Sequence, residues 1–195
     1  HEHDMEAFWS LRMNDAHDSH PPGTRRWTYG LAPFKQNHPE CLMGNPKDWE
    51  KYQDGPKKAW SHMDFGFPEV RAHVFGVIQE VCQGYDVDGV ELDFLRSFPY
   101  FRETLEMRPA EEEHVDMMTD LVRQVRKMAE EVSAKRGRPL LVAARTPYTV
   151  ADACFIGLDV ETWMSEGLLD LFIPGGGTES HMSESFFEAV ELAHH

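Results

Sequence analysis

The chain has 195 residues, with 19 basic against 34 acidic and a formal net charge of −15 at pH 7. A field of that sign repels nucleic acid and anionic membranes, so neither is an expected partner, and neutral or cationic ligands fit better. No apolar run approaches the roughly 20 residues that span a bilayer, and three distant cysteines give neither a disulfide framework nor a zinc spacing.

Strand and helix signals alternate along the chain, which predicts an α/β fold with a parallel sheet. The first strand is expected over Met5–Asn14. Period two places Phe8, Ser10, Arg12 and Asn14 on one face, and Met5, Ala7, Trp9, Leu11 and Met13 on the other. A polar segment rich in Pro, Gly and His follows from Asp15 to about Lys58. Connections of that length usually carry function, and residues 15–58 are expected to lie over the C-terminal face of the sheet. A short second strand is expected at Trp60–Phe65.

Pro68 suits a helix start, and Val70, Val74, Val77, Ile78 and Val81 recur at helical spacing up to Gly84. The most informative stretch comes next, from Tyr85 to Arg96. Val90, Leu92 and Phe94 share one face of a short strand, while Glu91 and Asp93 share the other. A strand apolar on one face and acidic on the other suits a parallel barrel, whose outer face packs on helices and whose C-terminal end opens into a site.

Glu111-Glu112-Glu113 then suits a helix N-terminus. Val115, Met118, Leu121, Val125, Met128 and Val132 form its apolar stripe, and Gly137 after Lys135-Arg136 stops it. A strand over Leu140–Thr146, a short helix over Asp159–Gly167 and a strand over Leu169–Pro174 complete the pattern. Gly175-Gly176-Gly177 leads to a last helix from about Ser183. Cys82 and Cys154 read as small buried hydrophobes. The chain opens without Met and closes on a helix, so it reads as an internal piece of a longer protein. Five strands are expected, near residues 5, 60, 89, 140 and 169, in one domain spanning 1–195.

Several runs resemble a known family. They are Asp64-Phe65-Gly66-Phe67-Pro68-Glu69-Val70-Arg71 before a helix, Tyr85-Asp86-Val87-Asp88-Gly89, and Glu91-Leu92-Asp93-Phe94-Leu95-Arg96-Ser97-Phe98-Pro99. Together with His38-Pro39-Glu40, where Cys41 stands in the place of a usual Trp, they resemble the "family 10 glycosylhydrolase-like" proteins. That resemblance covers residues 38–99 and implies a (β/α)8 TIM-barrel fold, present here as a partial barrel of strands two to six. It also implies hydrolysis of glycosidic bonds in a poly- or oligosaccharide by paired carboxylates, with an exported location. The chain departs from the chitinase pattern Asp-x-x-Asp-x-Asp-x-Glu, because Glu91 and Leu95 replace the second Asp and the final Glu. Substrate-assisted chemistry of that kind is therefore not expected.

The candidate catalytic residues are Asp93, at the strand end where barrel enzymes keep their chemistry, and Glu91 one layer deeper. Glu91 is also expected to pair with Arg12 or Arg145. Asp86 and Asp88 read as structural residues at the opposite end of the strand. Candidate substrate-binding residues are Arg12, Asn14 and His17, the aromatic Trp9 and Trp27, and Arg96, Arg145 and Glu179. Asp15, Asp18 and His20 join the same polar segment. No cofactor is implied, the expected partner is a carbohydrate, and a homo-oligomer remains open. Two alternatives stand beside the hydrolase. One is a carbohydrate-binding barrel without catalysis, and the other a metal-dependent hydrolase built on His17, Asp18 and Asp93.

Overall fold

The computed structural model describes residues 5–19, 30–45, 60–95 and 98–175. Its centre is the strand the sequence marks most clearly, β2 (Gly89–Asp93), in which every residue is buried. It pairs in parallel with β1 (Phe8–Arg12) on one side and β3 (Leu141–Thr146) on the other. A fourth strand, β4 (Leu171–Pro174), pairs in parallel with β3, so the sheet order is β1-β2-β3-β4. The described residues thus form an α/β fold with a four-stranded parallel sheet.

The connections explain what covers one face of the sheet. α1 (Pro33–Asn37) and α2 (Pro68–Gly84) lie between β1 and β2. α3 (Arg102–Leu105) and α4 (Glu112–Arg136) lie between β2 and β3, and α5 (Val150–Phe155) and α6 (Val160–Ser165) between β3 and β4. In α2 the buried positions Val70, Val74, Ile78 and Cys82 fall in one i, i+4 row. α4 buries Met118, Leu121, Val122, Val125, Met128 and Ala129, then ends where Gly137 takes φ 73°, a left-handed conformation that costs glycine little. These stripes form one core with Val90, Leu92, Val142 and Ala144 of the sheet. Strand order follows chain order, and the general preference for right-handed crossovers in parallel sheets then sets successive crossover helices on one face. Among the described residues no helix is long and apolar enough to cross a membrane.

Three expectations need correction. Trp60–Phe65 is not a strand: it makes a single antiparallel bridge, Leu42 with Met63, and otherwise runs as turns, so four strands replace five among the described residues. Its backbone is bound elsewhere, Asp64 N–H to Cys41 O (2.8 Å) and Phe65 N–H to Tyr100 O (2.8 Å). Cys154 is exposed, whereas Cys41 and Cys82 are buried. β1 ends at Arg12, and the turn at Met13 and Asn14 breaks the period-two pattern there. α5 is an element beyond the expected ones, and Thr149 caps it by accepting a hydrogen bond from Asp152 N–H (2.9 Å). The last helix, expected from about Ser183, lies outside the described residues.

At the N-terminal end of the sheet, Asp88 accepts from Ala7 N–H (2.8 Å), and Arg138 bridges Asp88 and Asp86. Both aspartates are therefore engaged in holding the strand entry. At the other end Tyr100 is fully buried, edge-on to Phe65 and Phe94, with its hydroxyl donating to Phe94 O (2.7 Å). Burial, and then the charge of Asp93, pushes the Tyr100 phenol well above its ordinary value of 10.0. The folded state then holds that proton more tightly than the unfolded chain does. Stability from this group is complete below about pH 10 and falls as the pH rises further. Urea unfolding above about pH 10 should show a decline in wild-type stability that is shallower in Tyr100→Phe.

Candidate functional site

The face of the sheet opposite the helices carries the charged residues. Parallel register sets Ser10, Glu91 and Ala143 in one row, and Arg12, Asp93 and Arg145 in the next row toward the C-terminal end. Alternation along each strand puts all four charged side chains on the open face, because Val90, Leu92, Val142 and Ala144 take the helix face. A cleft of about 650 Å³ opens there, lined by Phe8, Ser10, Arg12, Glu91, Asp93 and Arg145. Gly89 stands opposite Phe8 in the register. A Cβ at that position would stand 2.3 Å from the Phe8 ring, so the missing side chain is what lets Phe8 lie across the strand.

Glu91 is held on both oxygens. Oε1 accepts from Ser10 Oγ (2.7 Å) and Oε2 from Arg145 Nη2 (3.0 Å). The expected pairing of Glu91 therefore falls to Arg145 rather than Arg12. Asp93 is 4% exposed, and its Oδ1 accepts from Leu95 N–H (3.2 Å). Arg145 Nε is buried without a partner among the described residues, an unused donor beside the two carboxylates.

A second hollow of about 440 Å³ adjoins the first, and Arg12 lines both. His17 contacts Asp15 through Nδ1 and lies 3.5 Å from Arg12 Nη1. Burial pushes the Asp15 carboxyl up, but the hydrogen bonds and charge of His17, together with Arg12, outweigh it and hold Asp15 below its usual value. Lys35 closes the hollow from α1. It is 5% exposed, and it donates to Asp15 O (2.6 Å) and pairs with Asp18 (3.0 Å). Ser61 Oγ also donates to Asp18. Burial pulls the Lys35 ammonium down against the opposing pull of Asp18. His73 of α2 stacks on Phe34 at 4.1 Å, and its imidazole is pulled down by burial and by the neighbouring His38 and Lys35.

The ion pair joins α1 to the turn that follows β1, so its loss should be felt. Lys35→Met is expected to cost about 3 kcal/mol, because Asp18, only partly open to water, would lose its cation. Denaturant unfolding measures this, and combining it with Asp18→Asn should cost less than the sum of the two single changes.

The sequence-derived candidates divide clearly by position. Arg12, Glu91, Asp93 and Arg145 share the cleft, and His17 adjoins it. Asn14 does not reach it: it is 0% exposed, and its amide binds Met63 and Pro99 backbone groups. Trp9 packs against the core on the helix face, and Phe8 supplies the aromatic surface in its place. Trp27, Arg96, Glu179 and His20 lie outside the described residues. Sequence reading did not single out Phe8, Ser10, Lys35 or His73. The first two were legible from the face they share with Arg12, whereas no local pattern marks the others.

Asp18 is turned to Lys35 and Ser61, and His17, Asp18 and Asp93 do not form a ligand group. Among the described residues the trio whose ligand atoms gather closely is His38, Glu40 and Cys41. No protein-family model and no curated protein matches the chain. Fold and cleft together define an α/β protein with an acidic and basic site on the open face of a parallel sheet.

Proposed function

We propose that the chain is a TIM-barrel-type glycoside-hydrolase-like domain that cleaves glycosidic bonds in a poly- or oligosaccharide. The observation that carries this reading is the Arg12, Asp93, Arg145 row at the C-terminal end of a parallel sheet, above Glu91 and Ser10 in the same cleft. Barrel enzymes build their sites from the ends of several strands at that end. The barrel part of the reading is supported by strand order that follows chain order. It is supported also by the cleft-lining face, which a closed barrel would turn inward.

In this reading Asp93 is the reacting carboxylate, as acid/base or nucleophile. Arg12, Arg145 and His17 hold sugar hydroxyls, and Phe8 offers an apolar surface to a ring. Glu91 has both oxygens engaged, so it serves first as the anchor of Arg145. The second carboxylate of the pair is then Glu91 once released, or Glu179. That same engagement favours a second reading, a carbohydrate-binding domain without catalysis.

The test is a panel of poly- and oligosaccharides assayed for new reducing ends, with binding followed in parallel. Hydrolysis by wild type that disappears in Asp93→Asn supports the enzyme. Binding without hydrolysis supports the second reading, and neither binding nor hydrolysis overturns both.

A further inference from the structure

A second site of a different kind lies away from the cleft, on the 3-10 turn Pro39–Cys41. His38, Glu40 and Cys41 each offer one ligand atom there, all within 4.8 Å of one another, and none of the three lines either hollow. We propose that these residues bind a borderline-soft divalent cation, zinc in type, with a water in the fourth position.

The turn itself brings the three groups together. Cys41 N–H donates to His38 O (3.1 Å), and Arg102 clamps the outside by donating to Glu40 O (3.1 Å) and Leu42 O (3.2 Å). Asp64 N–H donates to Cys41 O (2.8 Å), which fixes the turn to the segment before α2. Ordinary zinc bond lengths set tetrahedral ligand atoms roughly 3.4 to 3.6 Å apart. His38 Nδ1 and Glu40 Oε1 already stand 3.2 Å apart. The Cys41 sulfur lies within 4.8 Å of both.

Exposure divides the set usefully. The Cys41 residue is 1% exposed, while the His38 and Glu40 side chains are 39% and 60% exposed, so an ion has an entry path and a shielded ligand. Burial first, and then the charges of Glu40, Glu69 and Asp64, push the Cys41 thiol up, with Arg102 opposing, and a bound dication supplies the positive charge that offsets them. A thiolate ligand disfavours magnesium and calcium, which take oxygen ligands, and suits zinc or cobalt. On binding, the Cys41 thiol gives its proton to solvent, a sulfur–metal bond forms, and no oxidation is involved.

Cobalt(II) is the probe, added to the full chain with thiols kept reduced by a phosphine. Bonding to Cys41 is expected to give a near-ultraviolet thiolate-to-cobalt charge-transfer band. That band should be lost in Cys41→Ser and retained in Cys154→Ser. Histidines elsewhere, including those at the termini, bind through nitrogen and give no such band. His38→Ala should weaken cobalt binding at this band by about 100-fold or more, since even second-shell changes cost 10- to 100-fold. No band at saturating cobalt overturns the proposal, as does a band that survives Cys41→Ser or disappears in Cys154→Ser. Should Cys41→Ser fail to fold by circular dichroism, His38→Ala decides alone, and an unchanged band and affinity overturn the site.

Discussion

Asp93→Asn is expected to lower kcat on a cleaved saccharide by about 10³-fold, with little change in KM and no loss of stability. The substitution keeps the shape of the side chain and its acceptor for Leu95 N–H, but removes the charge that accepts or donates the proton, or attacks the sugar. It also relieves a buried carboxylate, at 4% exposure, of its desolvation cost, so folding should not suffer. Glu91→Gln separates the roles of the two acids. Gln keeps an acceptor for Ser10 but loses the charge that holds Arg145. If Glu91 is an anchor, kcat/KM falls by about tenfold, in the range of one charge-assisted hydrogen bond. If Glu91 is the partner carboxylate, its loss matches that of Asp93→Asn. Asp93→Asn retaining more than about a tenth of wild-type kcat would remove Asp93 from the chemistry.

The parts of this fold that sequence reveals are those whose signal is local. β2 is legible because Val90 and Leu92 alternate with Glu91 and Asp93, and that alternation alone separates helix face from cleft. α2 and α4 are legible because their apolar rows, such as Val70, Val74 and Ile78, repeat over several turns. The rest depends on contacts between distant segments. Trp60–Phe65 has the aromatic content of a strand, but its amides are drawn to Cys41 O, Asn14 and Tyr100 O rather than to a ladder. Lys35 and His73 enter the hollow from helices 20 or more residues beyond β1, and nothing near either residue marks it as facing Asp15 or Arg12. Trp9 is adjacent to the site residues in sequence, yet one step along a strand turns a side chain to the opposite face.

Asn14 shows the same limit at one position, and its replacement should give the largest loss of stability. Extending β1 by period two would set Asn14 beside Arg12 in the cleft. The strand instead stops at Arg12, and Asn14 turns beneath the rim. There its Nδ2 donates to Met63 O (2.8 Å) and Pro99 O (2.7 Å), and its Oδ1 accepts from Met63 N–H (2.8 Å). One side chain thus joins the end of β1 to the segment before α2 and the segment after β2. Asn14→Ala leaves buried backbone groups without these partners and opens a small cavity. The expected cost is about 4 kcal/mol, or a fall in Tm of about 10 °C. Asn14→Asp isolates the polar part, because it keeps the volume and the acceptor for Met63 N–H but aims a carboxylate at two carbonyl oxygens. It should be at least as destabilising as Asn14→Ala at neutral pH. The introduced acid would have its folded-state pKa raised, so the native state binds its proton more tightly. Stability should therefore be recovered as the pH falls toward about 4 and lost as it rises. A substrate-contacting Asn14 would behave in the opposite way, with unchanged Tm in both variants and a raised KM. Thermal unfolding of Asn14→Ala and Asn14→Asp at two pH values separates these roles without any knowledge of the sugar.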